Sequence, residues 1–289
     1  PAVKDSSWPL TGIDRFILSA QEQKGLTPVA DADTVTLLRR IYFDLIGLPP
    51  TPGQAEAFLH VATDNRQKAI ADLVDELLAS PDFGVRWARH WLDIARFSES
   101  TGGGRTLLFG EAWRYRDYVV NSFNADKPYD RFIREQISGD LLPGESLQER
   151  QQSLIATAFL LLGPTNYELQ DKTVLEMDIV DEQLDTMGKA FLGLTIGCAR
   201  CHDHKFDPIS TEDYYGMAGI LKGAKVVIHS NVSTWNKRPL PVSPEAEQRA
   251  KERKKRIDSL QKEIASLKKS TNGKRQTAIP VATLSGIVV

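Results

Sequence analysis

Apolar residues recur three and four positions apart in one segment after another, and this spacing constrains the fold more than any other feature of the chain. The spacing is that of one face of an α-helix. Strand-like patterns are sparse, with one at residues 226–228 and a second at the extreme C-terminus. We therefore predict a mainly α fold, an irregular multi-helix domain. Two of these apolar faces comprise Ile13, Phe16, Ile17 and Ala20, then Leu37, Leu38, Ile41 and Leu45.

Length, composition and charge exclude several classes of protein. The chain has 289 residues, of which 41% are hydrophobic and 26% charged, as in ordinary globular proteins. Its 36 basic and 38 acidic residues create no overall field that would attract nucleic acid or an anionic membrane. No apolar run is long enough to span a bilayer. We expect neither a nucleic-acid partner nor a transmembrane segment. Because residues 1–4 show neither an initiator Met nor a signal peptide, we interpret the chain as a mature product or an excised piece.

The chain has two cysteines, Cys198 and Cys201, and His202 follows the second directly. This spacing is the signature of covalent haem c, in which two thiols bond the vinyl groups and the adjacent imidazole binds iron. A redox dithiol, a surface thiol pair or a disulfide would use the same cysteines. We predict haem c, with Cys198 and Cys201 as its attachment points and His202 as an iron ligand.

The residues before the motif support this prediction. Apolar residues before the motif are spaced four, three, four and three positions apart. Cys198 and Cys201 continue the same spacing, four and then three positions further on. We therefore predict a haem-attachment helix end, with both sulfurs on the apolar face of one helix. The charged residues of this segment, such as Asp178 and Asp181, are interpreted as a solvated face. The apolar residues before the motif are Val180, Leu184, Met187, Phe191 and Leu194.

The polar residues after the motif have three interpretations. Asp203, His204 and Asp207 could bind a hard metal ion, orient the proximal imidazole, or bond their own backbone around a turn at Asp207-Pro208. We favour the second or third, because three such residues within five make an incomplete ligand set.

A second axial iron ligand is expected to be Met or His. We predict His90, because its helix also carries Trp87 and Trp91, which would form an aromatic pocket around the imidazole. A buried histidine bonded to a backbone carbonyl is the alternative. Met187 is interpreted as core.

The same helix supplies three further candidate haem contacts. Arg86 could pair with a propionate, although a solvated basic face explains it as simply. Trp87 and Trp91 could flank the porphyrin, although core packing is the default for tryptophan.

Four passages of the chain are together highly specific, and they lie within residues 32–52, 86–93, 113–130 and 191–208. Through them the chain resembles the planctomycete cytochrome-C-like family of uncharacterised function, the second of the cytochrome-type domains in very large planctomycete proteins. The resemblance implies a bacterial, exported, haem-associated module that neighbours other cytochrome-type domains. It supplies no established reaction. Because thioether haem is assembled outside the cytoplasm, resemblance and motif together imply a periplasmic or cell-surface location.

The character of the sequence changes near the C-terminus. Residues 244–270 are highly charged, and Ile257, Leu260, Ile264 and Leu267 alternate at spacings of three and four. This pattern predicts a charged C-terminal helical arm, either a coiled-coil seam that could support self-association or a surface helix packed on the body. We expect a helical cytochrome-c-like domain over residues 1–235 and a charged helical arm with a poorly defined tail over 236–289.

These observations favour a c-type haem electron-transfer domain that exchanges electrons with other redox or cytochrome domains of the same or a partner protein. One alternative is a haem-dependent oxidoreductase acting on an extracellular substrate. Another is a non-haem module stabilised by a disulfide between Cys198 and Cys201, in which a divalent metal is bound by His202, Asp203, His204 and Asp207. No catalytic residue is predicted, because the chain shows no nucleophile elbow, Walker loop, dinucleotide fingerprint or zincin helix.

Overall fold

The computed structural model describes residues 1–275, with side chains through residue 269, and it is mainly helical, as the apolar spacing predicted. This part of the chain contains eleven α-helices, three single-turn helical segments and one two-stranded ribbon. The α-helices are α1 Gly12–Gln23, α2 Thr34–Leu45, α3 Pro52–Asp64, α4 Arg66–Leu78, α5 Pro81–Ile94, α6 Ala112–Asn124, α7 Tyr129–Ser138, α8 Leu147–Ala156, α9 Lys172–Met187, α10 Thr211–Lys222 and α11 Pro244–Arg275.

Side-chain caps fix where several helices begin. Thr51 is the N-cap of α3, where it and Gln54 form a reciprocal capping box. Asn65 caps α4, and Ser80 caps α5. Pro81 ends the preceding helical pattern and is the first residue of α5, where its missing N–H costs no hydrogen bond.

The first helix buries a different face from the one its sequence predicted. Ile13 and Phe16 are 71% and 69% exposed, whereas Leu18 is 1% exposed. Apolar spacing correctly identifies α1 as amphipathic. It does not determine what packs against the apolar face, and in the part of the chain that the structure describes that face meets solvent.

The described residues form three apolar clusters. The first joins α2, α3 and α4 around Leu38 and Tyr42. The second is the largest and joins α5 to α8 around Trp91 and Tyr115. The third joins α9 and α10 across the segment that contains the cysteines, with Tyr214 at its centre. The candidate site therefore has a small apolar core of its own.

A short ribbon follows α10. Strand β1, Val227–Ile228, pairs antiparallel with strand β2, Thr234–Trp235. The strand predicted at residues 226–228 is thus present, although its partner was not predicted. The second predicted strand, at the extreme C-terminus, lies outside the described residues.

The charged arm is one long helix. All side chains of residues 247–269 are exposed, including Ile257 and Ile264, which are 46% and 52% exposed. The arm therefore does not pack its apolar edge on the body within the described chain. Its pairing with another helix, like the division of the chain at residue 235, stays a prediction. None of the described helices combines the length and apolar character that a membrane crossing requires.

Candidate functional site

The helix that leads toward the cysteines stops before it reaches them. After Met187 the chain makes one π-helical turn, Gly188–Leu192, and Gly193 then adopts a left-handed conformation with φ of 67°. Glycine takes this conformation at little cost and commonly ends helices. The prediction that both sulfurs extend the apolar face of one helix is therefore wrong. The cysteines belong to a separate segment.

That segment is a 3₁₀ turn, Ile196–Arg200, followed directly by Cys201. A 3₁₀ helix has three residues per turn, so side chains three apart point in the same direction. Ile196 and Ala199 form one such pair, and they are 2% and 0% exposed in the third apolar cluster. This pair anchors the turn to α9 and α10.

The second face of the turn lies against α9. Gly197 faces Asp185 of α9, since a Cβ there would make an ordinary contact with its Oδ1, at 3.4 Å. Three residues on, the Arg200 guanidinium binds two carboxylates of α9. Its Nη2 lies 3.0 Å from Asp178 Oδ1, and its Nη1 lies 3.2 Å from Asp181 Oδ2. The interpretation of these two aspartates as a solvated face is confirmed for Asp178, which is 51% exposed, but it missed that both carboxylates bind the arginine of the motif.

Two tyrosines of α10 complete this network. The Tyr214 hydroxyl donates to Asp181 Oδ1 at 2.6 Å, and the Tyr215 hydroxyl donates to the Arg200 carbonyl at 3.1 Å. Burial and the neighbouring Asp181 carboxylate both raise the pKa of Tyr214, so its phenol stays protonated as a donor. Desolvation lowers the pKa of Arg200, but its two aspartates raise it by more, so the guanidinium stays charged.

One thiol lies in the turn and the other directly follows it. Cys198 and Cys201 are both exposed, and no disulfide joins them. Three-residue periodicity accounts for the residues within the turn, because it places Ile196 and Ala199 in the core and Gly197 and Arg200 toward α9. The haem-attachment residues Cys198 and Cys201 are both left accessible to solvent.

The two histidines after Cys198 have different roles. His202 is exposed, and its Nδ1 lies 2.8 Å from the Asp203 carbonyl oxygen. A carbonyl only accepts, so Nδ1 carries the proton and Nε2 keeps its lone pair for a metal. The backbone carbonyl of Asp203, rather than a carboxylate, therefore orients the predicted proximal ligand.

The ring of His204 is committed to the protein. Its Nδ1 accepts from the Asp207 backbone N–H at 2.8 Å, so its proton lies on Nε2, which is 3.0 Å from Thr195 Oγ1. The Asp207 carboxylate, 3.4 Å from Nδ1, would form an ion pair only with a protonated Nδ1, which the donated N–H excludes. His204 therefore holds the loop together through both ring nitrogens.

The interpretation in which this polar loop bonds its own backbone is confirmed. Besides His204, Asp203 Oδ1 accepts from the Thr211 N–H at the start of α10, at 2.8 Å. Within the described residues, no three His, Cys, Asp or Glu side chains converge to hold a metal ion. The divalent-metal alternative therefore has no support from the geometry.

Replacing His204 with alanine is expected to destabilise the domain by about 1–3 kcal/mol, because the Asp207 N–H and the Thr195 hydroxyl lose their partner. Urea unfolding measures this loss. His229→Ala is the matched control, since His229 lies in a more exposed pair with Glu176 and its removal is expected to cost about 0–1 kcal/mol. Equal losses in the two variants would contradict a structural role for His204.

The predicted contacts on α5 lie apart from the motif. His90 is exposed, and its ring makes an edge contact with Trp87 at 5.4 Å. Trp91 is instead buried, and its Nε1 donates to the Tyr115 hydroxyl. The expected aromatic pocket around His90 therefore contains Trp87 but not Trp91, because neighbouring helix positions point about 100° apart.

Arg86 binds the end of α2, where its Nε donates to the Phe43 carbonyl at 3.3 Å. Among the described residues, no hydrogen bond, ion pair or ring contact joins Arg86, Trp87, His90 or Trp91 to residues 198–202. Trp91 does contact Phe191, in the π turn before the motif, at 5.9 Å between ring centroids. The haem contacts of these four residues stay predictions. Met187 packs against the second apolar cluster, as its interpretation as core predicted.

Comparison with known protein families accounts for most of the chain. The model of PSCyt2, described as a protein of unknown function (DUF1549), matches residues 12–226. The chain belongs to the PSCyt2 family. This agrees with the resemblance to a planctomycete cytochrome-like family. No curated protein and no solved structure matches the chain.

The match locates the site within the PSCyt2 region. Residues 12–226 begin with α1 and include α9, the 3₁₀ turn and α10, so the motif and every residue that binds it lie inside. The charged helix α11 lies outside. The network around Arg200 thus belongs to the PSCyt2 domain itself.

Proposed function

We propose that this PSCyt2 domain carries a covalent haem c on Cys198 and Cys201, with His202 as proximal iron ligand, and transfers electrons within a larger extracytoplasmic redox protein. One observation carries the proposal. Two free, exposed thiols lie in and directly after one 3₁₀ turn, and the adjacent imidazole has its Nδ1 bonded to a backbone carbonyl, which leaves Nε2 available. When bound, the haem would supply an iron that exchanges single electrons.

The chain's own residues have distinct tasks in this proposal. The two thiols would fix the cofactor covalently, and the Asp203 carbonyl would hold the His202 ring in the tautomer that offers Nε2. His204 would not compete for the iron, because both of its ring nitrogens are already bonded.

The position of the site supports exchange with a partner. Cys198, Cys201, His202 and Phe206 are all exposed, the last by 83%. A cofactor attached there would be accessible to another redox or cytochrome domain, of the same or another protein. Because thioether haem is assembled outside the cytoplasm, the proposal places the domain in the periplasm or at the cell surface.

Expression with cytochrome c maturation machinery tests the attachment. Wild-type protein is expected to give the haemochrome spectrum of thioether-linked haem and to keep its haem on a denaturing gel. Cys198→Ala/Cys201→Ala is expected to lose all covalent haem while keeping its helical circular dichroism spectrum, because both side chains are exposed. Wild-type protein that folds but carries no covalent haem would overturn the proposal.

Distal ligation by His90 is a separate proposal and needs its own measurement. If His90 binds the iron, His90→Ala is expected to change a low-spin spectrum to a high-spin one. His60→Ala is the matched control, since His60 is also an exposed helical histidine, on α3. An unchanged spectrum in His90→Ala removes His90 as a ligand. A five-coordinate iron in the wild type would instead favour the oxidoreductase alternative.

A further inference from the structure

We propose that Arg200 is a positioning residue, which holds the thiols of Cys198 and Cys201 in a fixed relative arrangement before any haem is attached. The biological role of this arrangement rests on the proposed function. The arrangement itself is a property of the haem-free chain and can be measured there.

Arg200 occupies the position in the motif from which it can act on both cysteines. It directly precedes Cys201 and follows Cys198 by two residues, so a fixed Arg200 limits the backbone on both sides. Its guanidinium spans Asp178 and Asp181, which lie three residues apart on one face of α9. The planar fork of arginine reaches two carboxylates at once, whereas the single ammonium of lysine reaches them less well.

The contacts of Arg200 are partly shielded from solvent. The side chains of Arg200 and Asp181 are 30% and 29% exposed, and the fully buried Tyr214 holds the other oxygen of Asp181. Partial burial strengthens charge-assisted hydrogen bonds relative to those on an open surface. Tyr214 therefore holds one oxygen of Asp181 in place while the other oxygen binds Arg200.

Two other contacts restrain the same turn from different directions. Ala199 is buried in the core, and Tyr215 donates to the carbonyl of Arg200. A turn restrained by its core face, its backbone and its charged side chain has little freedom left. The backbone that carries the exposed thiols is therefore restrained, which lowers the entropic cost of forming the second bond of a two-point attachment.

Phenylarsine oxide measures this preorganisation without haem. It releases water as it forms two arsenic–sulfur bonds with a neighbouring pair of thiols, so its affinity depends on how the two sulfurs are placed. In the reduced, haem-free full chain, Arg200→Met is expected to weaken binding about tenfold. Arg200→Lys should fall between Arg200→Met and wild type, and Asp178→Asn/Asp181→Asn should resemble Arg200→Met.

Arg89→Met is the matched control, since Arg89 forms a more exposed ion pair, with Asp93, and is expected to bind the arsenical as wild type does. Circular dichroism and the unfolding midpoint show which variants are folded at the assay temperature, and only folded variants are compared. Arg200→Lys keeps the positive charge and serves as the test if Arg200→Met does not fold. Wild-type affinity in folded Arg200→Met or Arg200→Lys would overturn the proposal. A chain that shows the tenfold loss but never attaches haem would overturn the proposed function alone.

Discussion

Replacing Arg96 with methionine is expected to destabilise the domain by about 3 kcal/mol, because a partly buried carboxylate loses its cation. Arg96 follows α5, and its guanidinium contacts the Glu182 carboxylate and the Thr186 hydroxyl of α9 and donates to the Phe159 carbonyl at 3.1 Å. The side chains of Arg96 and Glu182 are 21% and 27% exposed. The pair connects the second apolar cluster to the helix that bears the aspartates of the site.

The backbone of Arg96 gives this prediction a second test. Its φ is 54°, in the left-handed region that favours glycine. Arg96→Gly is therefore expected to lose the same contacts but to recover about 1 kcal/mol of backbone strain relative to Arg96→Met. Urea unfolding measures both losses.

Arg96→Met/Glu182→Gln is expected to be more stable than the sum of the single changes implies, because neither group is then left charged and unpaired. Strict additivity would show that the two side chains do not interact.

The sequence predicted structural features correctly where residues close together in the chain determine them. The three-and-four spacing of Leu37, Leu38, Ile41 and Leu45 predicts a helix, and α2 is found there. The Cys198–His202 spacing identifies the candidate site without any structure.

The same signals failed where a feature depends on a distant partner. The apolar spacing from Val180 to Cys201 fits one continuous helix, but Gly193 adopts a left-handed conformation and ends the helix before the cysteines. Spacing alone does not reveal such a stop, because glycine also occurs within helices. In the sequence, Asp178 and Asp181 are interpreted as surface charges. Only the fold shows that both form ion pairs with Arg200. The arginine inside the motif and two acids three apart on the preceding helix were the signal that could have suggested this pairing.

Glu135 is the residue whose loss is expected to destabilise the chain most, because it is 1% exposed and carries the charge that neutralises a buried cation. It accepts from the Tyr118 hydroxyl at 2.7 Å, from Arg131 Nε at 2.9 Å and from Lys127 Nζ at 2.5 Å. The Lys127 side chain is only 13% exposed. Glu135→Ala is therefore expected to cost about 3–5 kcal/mol in urea unfolding. Glu247→Ala, which removes only an exposed ion pair with Lys251 on α11, is the control and should cost no more than about 0.5 kcal/mol.

The pH dependence of stability tests the charge of Glu135 directly. Desolvation raises its pKa, but the bonds from Lys127, Tyr118 and Arg131 outweigh this and hold the pKa below the usual value of 4.5. Because the folded state lowers the pKa, the stabilisation is present above the unfolded value and is lost as the pH falls through the folded one. Wild-type stability should therefore decline as the pH is lowered below about 4.5. Glu135→Gln should be less stable at pH 7 but lose less on acidification, because it has no carboxylate to protonate. If both proteins lose stability with the same slope between pH 5 and pH 3, Glu135 does not stabilise the fold through its charge.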